Sequence, residues 1–258
     1  MNVCVVFVSN QKYLPKFANT LKMLRENGKY DEDIVLIIGD DLKAMEIDLE
    51  QRFNIRIKYF PDIIFDEDFI KDFNSLKRDD LWRNKIFQYH KFNIFDVYFK
   101  QWDFILYIDC GINVFRPVQP IIDTKTHNTL LARNDPWGPF LNKWSLGTQF
   151  DNNHQIFNEL NQKYDLLNIK SYFNTSLMLF DTSIIHQNTS EELYDLSIKY
   201  PNSITNDQGI IALYFICINK VWQELTIEDP DQYFYDYKPR QTLAQGGKPY
   251  IMHKWWQS

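Results

Sequence analysis

Apolar positions along the chain alternate between two rhythms. Val3 to Val8, "VCVVFV", is an unbroken β-branched and aromatic run, the pattern of a strand buried on both faces of a parallel sheet. Ser9 and Asn10 interrupt it. From Tyr13 to Asn27 the apolar residues Leu14, Phe17, Leu21 and Leu24 recur at helical spacing, and Gly28 supplies the stop. "DIVLIIGDD" (Asp33 to Asp41) predicts a second buried strand that runs into carboxylates. The spacing predicts a helix over "LKAMEIDLEQRF" and a third strand over "IRIKYF". Strand, helix, strand, helix, strand is the order of an α/β fold with a Rossmann-like, doubly wound, mostly parallel sheet flanked by helices.

Further on, the pattern predicts a helix over Lys85 to Tyr98 and a strand over "FILYID" (Phe104 to Asp109). Short strands follow at Leu130 to Arg133 and Leu177 to Asp181, with helices at Glu191 to Tyr200 and Gln208 to Ile218. Asn134 to Gln149 is rich in Pro, Gly, Trp and Asn and lacks periodicity, which predicts a long surface loop. With 258 residues and no internal repeat, one domain over 1–258 is expected, residues 1–123 forming one half and 124–258 the other.

Composition narrows the classes. A net charge of -6 argues against general attraction to nucleic acid. Cys4, Cys110 and Cys217 are odd in number and widely spaced, so neither a disulfide framework nor a zinc site is suggested, and a reducing, cytoplasmic setting fits. The first residues lack a basic segment and a cleavage site, and no apolar run approaches the roughly 20 residues that span a bilayer. Heavy use of Asn, Ile, Lys and Phe with only 8 Gly suits an AT-rich source, a virus among them, in which case the compartment is the host cytoplasm. Twenty Phe, 15 Tyr and 7 Trp give an unusually aromatic interior or groove.

In open α/β sheets ligands bind beyond the carboxyl ends of the strands, so Asp40, Asp41 and Asp109 stand at informative positions. Each also has a structural explanation as a turn residue or helix cap. Their neighbours separate the two readings for Asp109. "FILYIDCGINVFRPVQPI" resembles the strand-end motif of family 8, glycogenin-like glycosyltransferases of the GT-A fold, in which a hydrophobic strand runs into Asp-x-Asp. "YHKFNIF", "SYFNTSLMLFDTS", "NDQGIIALYF" and "KPYIMHKWW" are similar to four further segments of that family, in its order.

The resemblance implies a retaining transfer of a sugar from a nucleotide-sugar donor, uridine-linked in the family's manner, to a glycan, protein or other hydroxyl acceptor. It places Asp207, Gln208 and Asn174 against the transferred sugar. Val8, Ser9, Asn10, Lys91, Asp109, Cys110, Gly111, Thr175 and Lys254 would hold the nucleotide, and Asp109 with His253 would bind a divalent cation, Mn²⁺ or Mg²⁺. One residue departs from the family: Gly111 replaces the second Asp of Asp-x-Asp. Asp40 or Asp41 would then have to compensate, or Lys91, Lys254 and Arg83 would have to carry the positive charge.

Structural alternatives stand beside these roles. Asp207 and Asn206 are equal candidates for a helix N-cap, and Asn174 for a capping amide. Trp137 and Trp144 suit either stacking on an acceptor sugar or anchoring their loop. Three other functions are weighed: a catalytically silent nucleotide- or glycan-binding relative, a glycoside hydrolase using Asp109 and Asp207, and a dehydrogenase, which the missing G-x-G-x-x-G disfavours. A homodimer stays open among the partners.

Overall fold

The computed structural model describes residues 1–76, 86–135 and 144–227 and the backbone of 251–253. In chain order these form β1 (Val3–Val8), α1 (Leu14–Glu26), β2 (Ile34–Ile38), α2 (Glu46–Phe53), β3 (Arg56–Tyr59), α3 (Glu67–Ser75), β4 (Phe104–Ile108), β5 (Ile112–Val114) and α4 (Gln119–Ile122). Then come β6 (Leu130–Asn134), α5 (Phe157–Tyr164), β7 (Phe173–Asp181), α6 (Thr189–Lys199), α7 (Asp207–Leu213), β8 (Trp222–Glu224) and β9 (Ile251–His253).

Among the described residues the main sheet has seven strands in the order β3-β2-β1-β4-β7-β6-β8. Neighbours pair in parallel except on either side of β7, which runs against the others. This is the doubly wound, mostly parallel sheet expected. Every residue of β2 and β4 is buried, because alternate side chains feed two separate cores. Leu106 and Ile108 face α1, α2 and α4, whereas Ile105 and Tyr107 face α3, α5, α6 and α7.

The polarity of the strands decides where chemistry can occur. β1, β2 and β4 end at one edge, and reversed β7 brings its first residues, Asn174 and Thr175, to that same edge beside Asp109, whose N–H donates to the Ser176 carbonyl at 2.8 Å. β5 and β9 pair separately and antiparallel, with Ile112 opposite His253.

Several expectations need correcting. Lys85 to Tyr98 is no single helix. Residues Ile86–Phe95 and Val97–Gln101 form 3₁₀ segments, parted at Asp96, whose side chain accepts from the Tyr98 N–H at 2.8 Å. Tyr89 through Phe95 are all buried, a burden on every side that an α-helix with one apolar stripe does not carry. The helix expected from Leu42 starts as a 3₁₀ turn over Asp40–Met45, and the one expected to Ile218 changes to a π turn after Leu213. Helices α3 and α5 were not anticipated, since each buries only two residues on a polar background. Of the expected surface loop, Leu146–Gln149 is a 3₁₀ turn with Leu146, Gly147 and Gln149 buried. Trp144, just before it, is exposed.

Candidate active site

The 3₁₀ segment Ile86–Phe95 drives Lys91 into the interior at the carboxyl edge of the sheet. Its side chain is 7% exposed, and its ammonium lies 3.1 Å from Asp109 Oδ1 and 2.8 Å from Asp207 Oδ2. It also donates to Thr175 Oγ1 at 3.2 Å, and that hydroxyl donates to Asp207 Oδ2 at 3.3 Å. Three elements distant in sequence, the end of β4, the start of β7 and the start of α7, thus converge on one cation. Burial alone would lower the Lys91 ammonium's pKa, but Asp109 and Asp207 outweigh it and hold it above its ordinary value. Burial pushes the Asp207 carboxyl up, against the pull of Lys91. With all three ionised the group has a net charge of -1, one ammonium against two carboxylates.

The turn after β4 is fixed from both sides. Tyr107, fully buried, donates its hydroxyl to Asp109 Oδ1 at 2.5 Å, and Cys110 Sγ donates to the Val8 carbonyl at 3.2 Å. Gly111 has φ +98°, a conformation that L side chains rarely adopt. Its N–H donates to Thr20 Oγ1 at 3.0 Å, and Thr20, buried on α1, donates to the Ile112 carbonyl at 2.9 Å. The "DCG" turn is therefore bolted to α1.

Toward β6, a hydrogen-bonded array surrounds the position expected for the sugar. Gln208 Nε2 donates to Asp135 Oδ2 at 3.2 Å and to Gln149 Oε1 at 2.9 Å, while its Oε1 accepts from the Thr175 N–H at 3.4 Å. Asn174 Nδ2 donates to Asp135 Oδ1 at 3.2 Å, and Asn174 Oδ1 accepts from the Ser176 N–H at 2.9 Å and from the Ser176 hydroxyl. Asp135 and Gln149 were missed from the sequence, because both fell inside the segment read as loop. Asp135 follows β6 as Asp109 follows β4, so the strand-end rule applied there would have found it.

Asp207 is not the cap of α7; Asn206 occupies that position, with no side-chain capping bond. Asn206 adopts φ 55°, ψ −117°, and its amide donates to Gln88 Oε1 at 2.5 Å, tying the start of α7 to the segment that carries Lys91.

At the ends of β1 and β2 the structure places a second acidic group. Ser9 is fully buried and donates to the Asn10 carbonyl, and Asn10 Oδ1 accepts from the Tyr13 N–H. Asp41 Oδ2 accepts from the Gln11 N–H at 2.8 Å. Asp40 accepts from the Tyr59 hydroxyl at 2.5 Å and donates its N–H to Asp62 Oδ1 at 3.0 Å. Buried His90 places Nε2 3.1 Å from the same Asp62 oxygen. Among the described residues neither Asp40 nor Asp41 belongs to a group of three side chains able to hold a metal ion.

Arg83, Trp137, Lys254 and the His253 side chain lie outside the described residues; the His253 backbone stands opposite Ile112, next to the "DCG" turn. The described residues do not form a protein cage for a divalent ion. No three His, Cys, Asp or Glu side chains among them converge, Asp109 is engaged by Lys91 and Tyr107, and Gly111 brings no ligand.

Residues 4–244 match the family model described as glycosyl transferase family 8. A search of curated proteins finds no matching sequence. Solved structures share the fold at low identity. An active-site mutant of LgtC aligns with a TM-score of 0.58 at 13% identity over 97% of this chain and 86% of that one. The apo form of the glycosyltransferase GlyE of Streptococcus pneumoniae TIGR4 gives 0.57 at 15% identity, over 98% of this chain and 54% of GlyE. The bifunctional glycosyltransferase WbbM gives 0.56 at 15%, over 98% of this chain and 45% of WbbM. The chain spans about half the length of the last two.

Proposed function

The chain belongs to glycosyl transferase family 8, and from that premise we propose that it transfers a sugar from a uridine diphosphate sugar to a hydroxyl of a glycan, protein or small molecule, with retention of anomeric configuration. The observation that carries this reading is the convergence of Asp109, Thr175 and Asp207 on the buried Lys91 ammonium, at the edge where such sheets bind ligands.

In this reading the base and ribose lie over Val8, Ser9 and Asn10, and the diphosphate lies over the Asp109–Gly111 turn. The sugar points toward Asp207, Gln208, Asn174 and Asp135. The acceptor oxygen attacks the anomeric carbon from the face that the diphosphate leaves. As the bond from that carbon to the phosphate oxygen breaks, the departing oxygen takes the acceptor's proton. Asp207 stabilises the positive charge that develops on the sugar, and the amides of Gln208 and Asn174 orient its hydroxyls. No separate base is required; the His90–Asp62 contact braces Asp40 at the end of β2.

The test is incubation with a panel of UDP-sugars, following release of UDP and free or transferred sugar. Turnover with one donor supports the transferase. Binding of UDP with no turnover of any donor would favour the silent relative, for which Gly111 is the specific argument. Sugar release from oligosaccharides with no nucleotide affinity would favour a hydrolase.

A further inference from the structure

We propose that Lys16 is the residue that holds the donor's diphosphate, a lysine contact standing where the family's second carboxylate and its divalent ion would otherwise act; this rests on the nucleotide-sugar reading above. The sequence alone does not bring Lys16 to notice, because it lies in the middle of α1's helical pattern. The fold sets it beside the substituted position. A Cβ built on Gly111 would lie 3.4 Å from Lys16 Cδ and 3.9 Å from Lys16 Cβ, so the lysine's stem packs against the point from which a side chain at 111 would start. The hydrogen bonds through Thr20 fix α1 against the "DCG" turn, which makes the juxtaposition a property of the scaffold.

The charge of Lys16 is available and that of Lys91 is not. Lys91 is enclosed between two carboxylates, and their group has a net charge of -1 that repels a diphosphate. Lys16 is exposed, its ammonium stands 4.8 Å from the centroid of the Tyr13 ring, and among the described residues it forms no ion pair with a carboxylate. Tyr13 itself lies close enough to Asp109 and Cys110 for both to raise its hydroxyl's pKa, after the larger effect of burial. A cation, an aromatic ring and the strand-end turn therefore share one wall at the edge where the diphosphate would lie. A lysine packs beside the position where the resemblance puts the second acid.

The experiment is calorimetric titration of UDP and of uridine into the full chain, with EDTA and with Mn²⁺, for the wild type, Lys16→Met and Lys16→Arg. Lys16 is exposed, so both variants should fold. The expected result is a UDP affinity that EDTA changes by less than about threefold, a loss of roughly 10- to 100-fold in Lys16→Met, and substantial recovery in Lys16→Arg, with uridine affinity unchanged throughout. UDP binding that requires Mn²⁺, or a Lys16→Met variant that binds UDP as the wild type does, overturns the role of Lys16 and leaves the transferase reading intact. Failure of the wild type to bind UDP with or without Mn²⁺ overturns the uridine diphosphate reading itself.

Discussion

Two strands of this sheet run into aspartate at the same edge, and the two acids have opposite fates. Asp109, after β4, meets a buried ammonium and a second carboxylate contributed by α7. Asp40, after β2, meets a tyrosine hydroxyl and exchanges backbone bonds with Asp62, which holds its carboxyl below the usual range while leaving it in solvent. The approach of Asp62 needs Gly39, since a Cβ there would come within 2.1 Å of its carboxylate oxygen. The local sequences are alike, apolar run then acid. What separates the two acids is whether a third element buries a counter-charge against them.

The contrast predicts its largest effect at Lys91. Lys91→Met leaves Asp109 and nearly buried Asp207 facing each other without a cation, and removing one partner of a buried charge pair costs about 3–5 kcal/mol. Denaturant unfolding should show a loss of that order together with loss of transfer. Lys91→Met combined with Asp207→Asn should recover a good part of the stability and none of the activity. Full stability in the single variant would mean that the acids are solvated and the site is open.

Next comes Asp207→Asn alone. Its carboxyl is raised by burial, so the fold should tolerate the neutral amide, and Lys91 keeps Asp109. Transfer should vanish while the affinity for UDP stays within a few fold, because the proposed partner of Asp207 is the sugar. A normal turnover number would take Asp207 out of the reaction.

The convergence that makes these effects large was only partly readable beforehand. The apolar runs located β1 and β4 nearly to the residue and β2 with an overrun past Ile38 into the 3₁₀ turn at Asp40, because strands buried on both faces leave unbroken apolar runs. The segment carrying Lys91 was read as an ordinary helix, since a sequence rich in aromatic residues at every position has no stripe to reveal its true form. Asp135 and Gln149 flank a stretch of Pro, Gly and Trp and disappeared into it. Lys16 and Gly111 are 95 positions apart by number, and nothing short of the packing of α1 on the turn relates them. The family resemblance supplied what pattern could not: which of the strand-end acids to choose.

A smaller effect is expected at the joint between the two halves of the clamp. Asn206 holds φ 55°, ψ −117°, a region essentially reserved for glycine, and backbone strain of this kind costs on the order of 1–3 kcal/mol. Asn206→Val adds a β-branched side chain to that conformation and removes the bond to Gln88. Stability should fall within that range, and the turnover number should fall more than the affinity for UDP, since the displaced residues are Asp207 and Gln208. An unchanged melting temperature would show that the start of α7 relaxes freely.

The braced edge should answer to pH and not to nucleotide. His90 is buried against Phe87 and Asp62, and burial, opposed by Asp62, keeps its imidazole below the ordinary 6.5. Unfolded, the ring takes up a proton near pH 6.5; folded, it resists until a lower pH. The stability it contributes is therefore present above 6.5 and is lost as pH falls through the window below it, each unit of displacement being worth about 1.4 kcal/mol. Asp207, raised from 3.8, has the opposite sign: its contribution is greatest in acid and declines as pH rises. Comparison with His90→Gln isolates the first effect from the second. Melting temperatures between pH 7.5 and 5 should fall more steeply for the wild type than for the variant, with UDP affinity at pH 7.5 equal in both. Parallel slopes would mean that the ring is already solvated, and a loss of UDP affinity would mean that the edge braced by Asp40 and Asp62 belongs to the site after all.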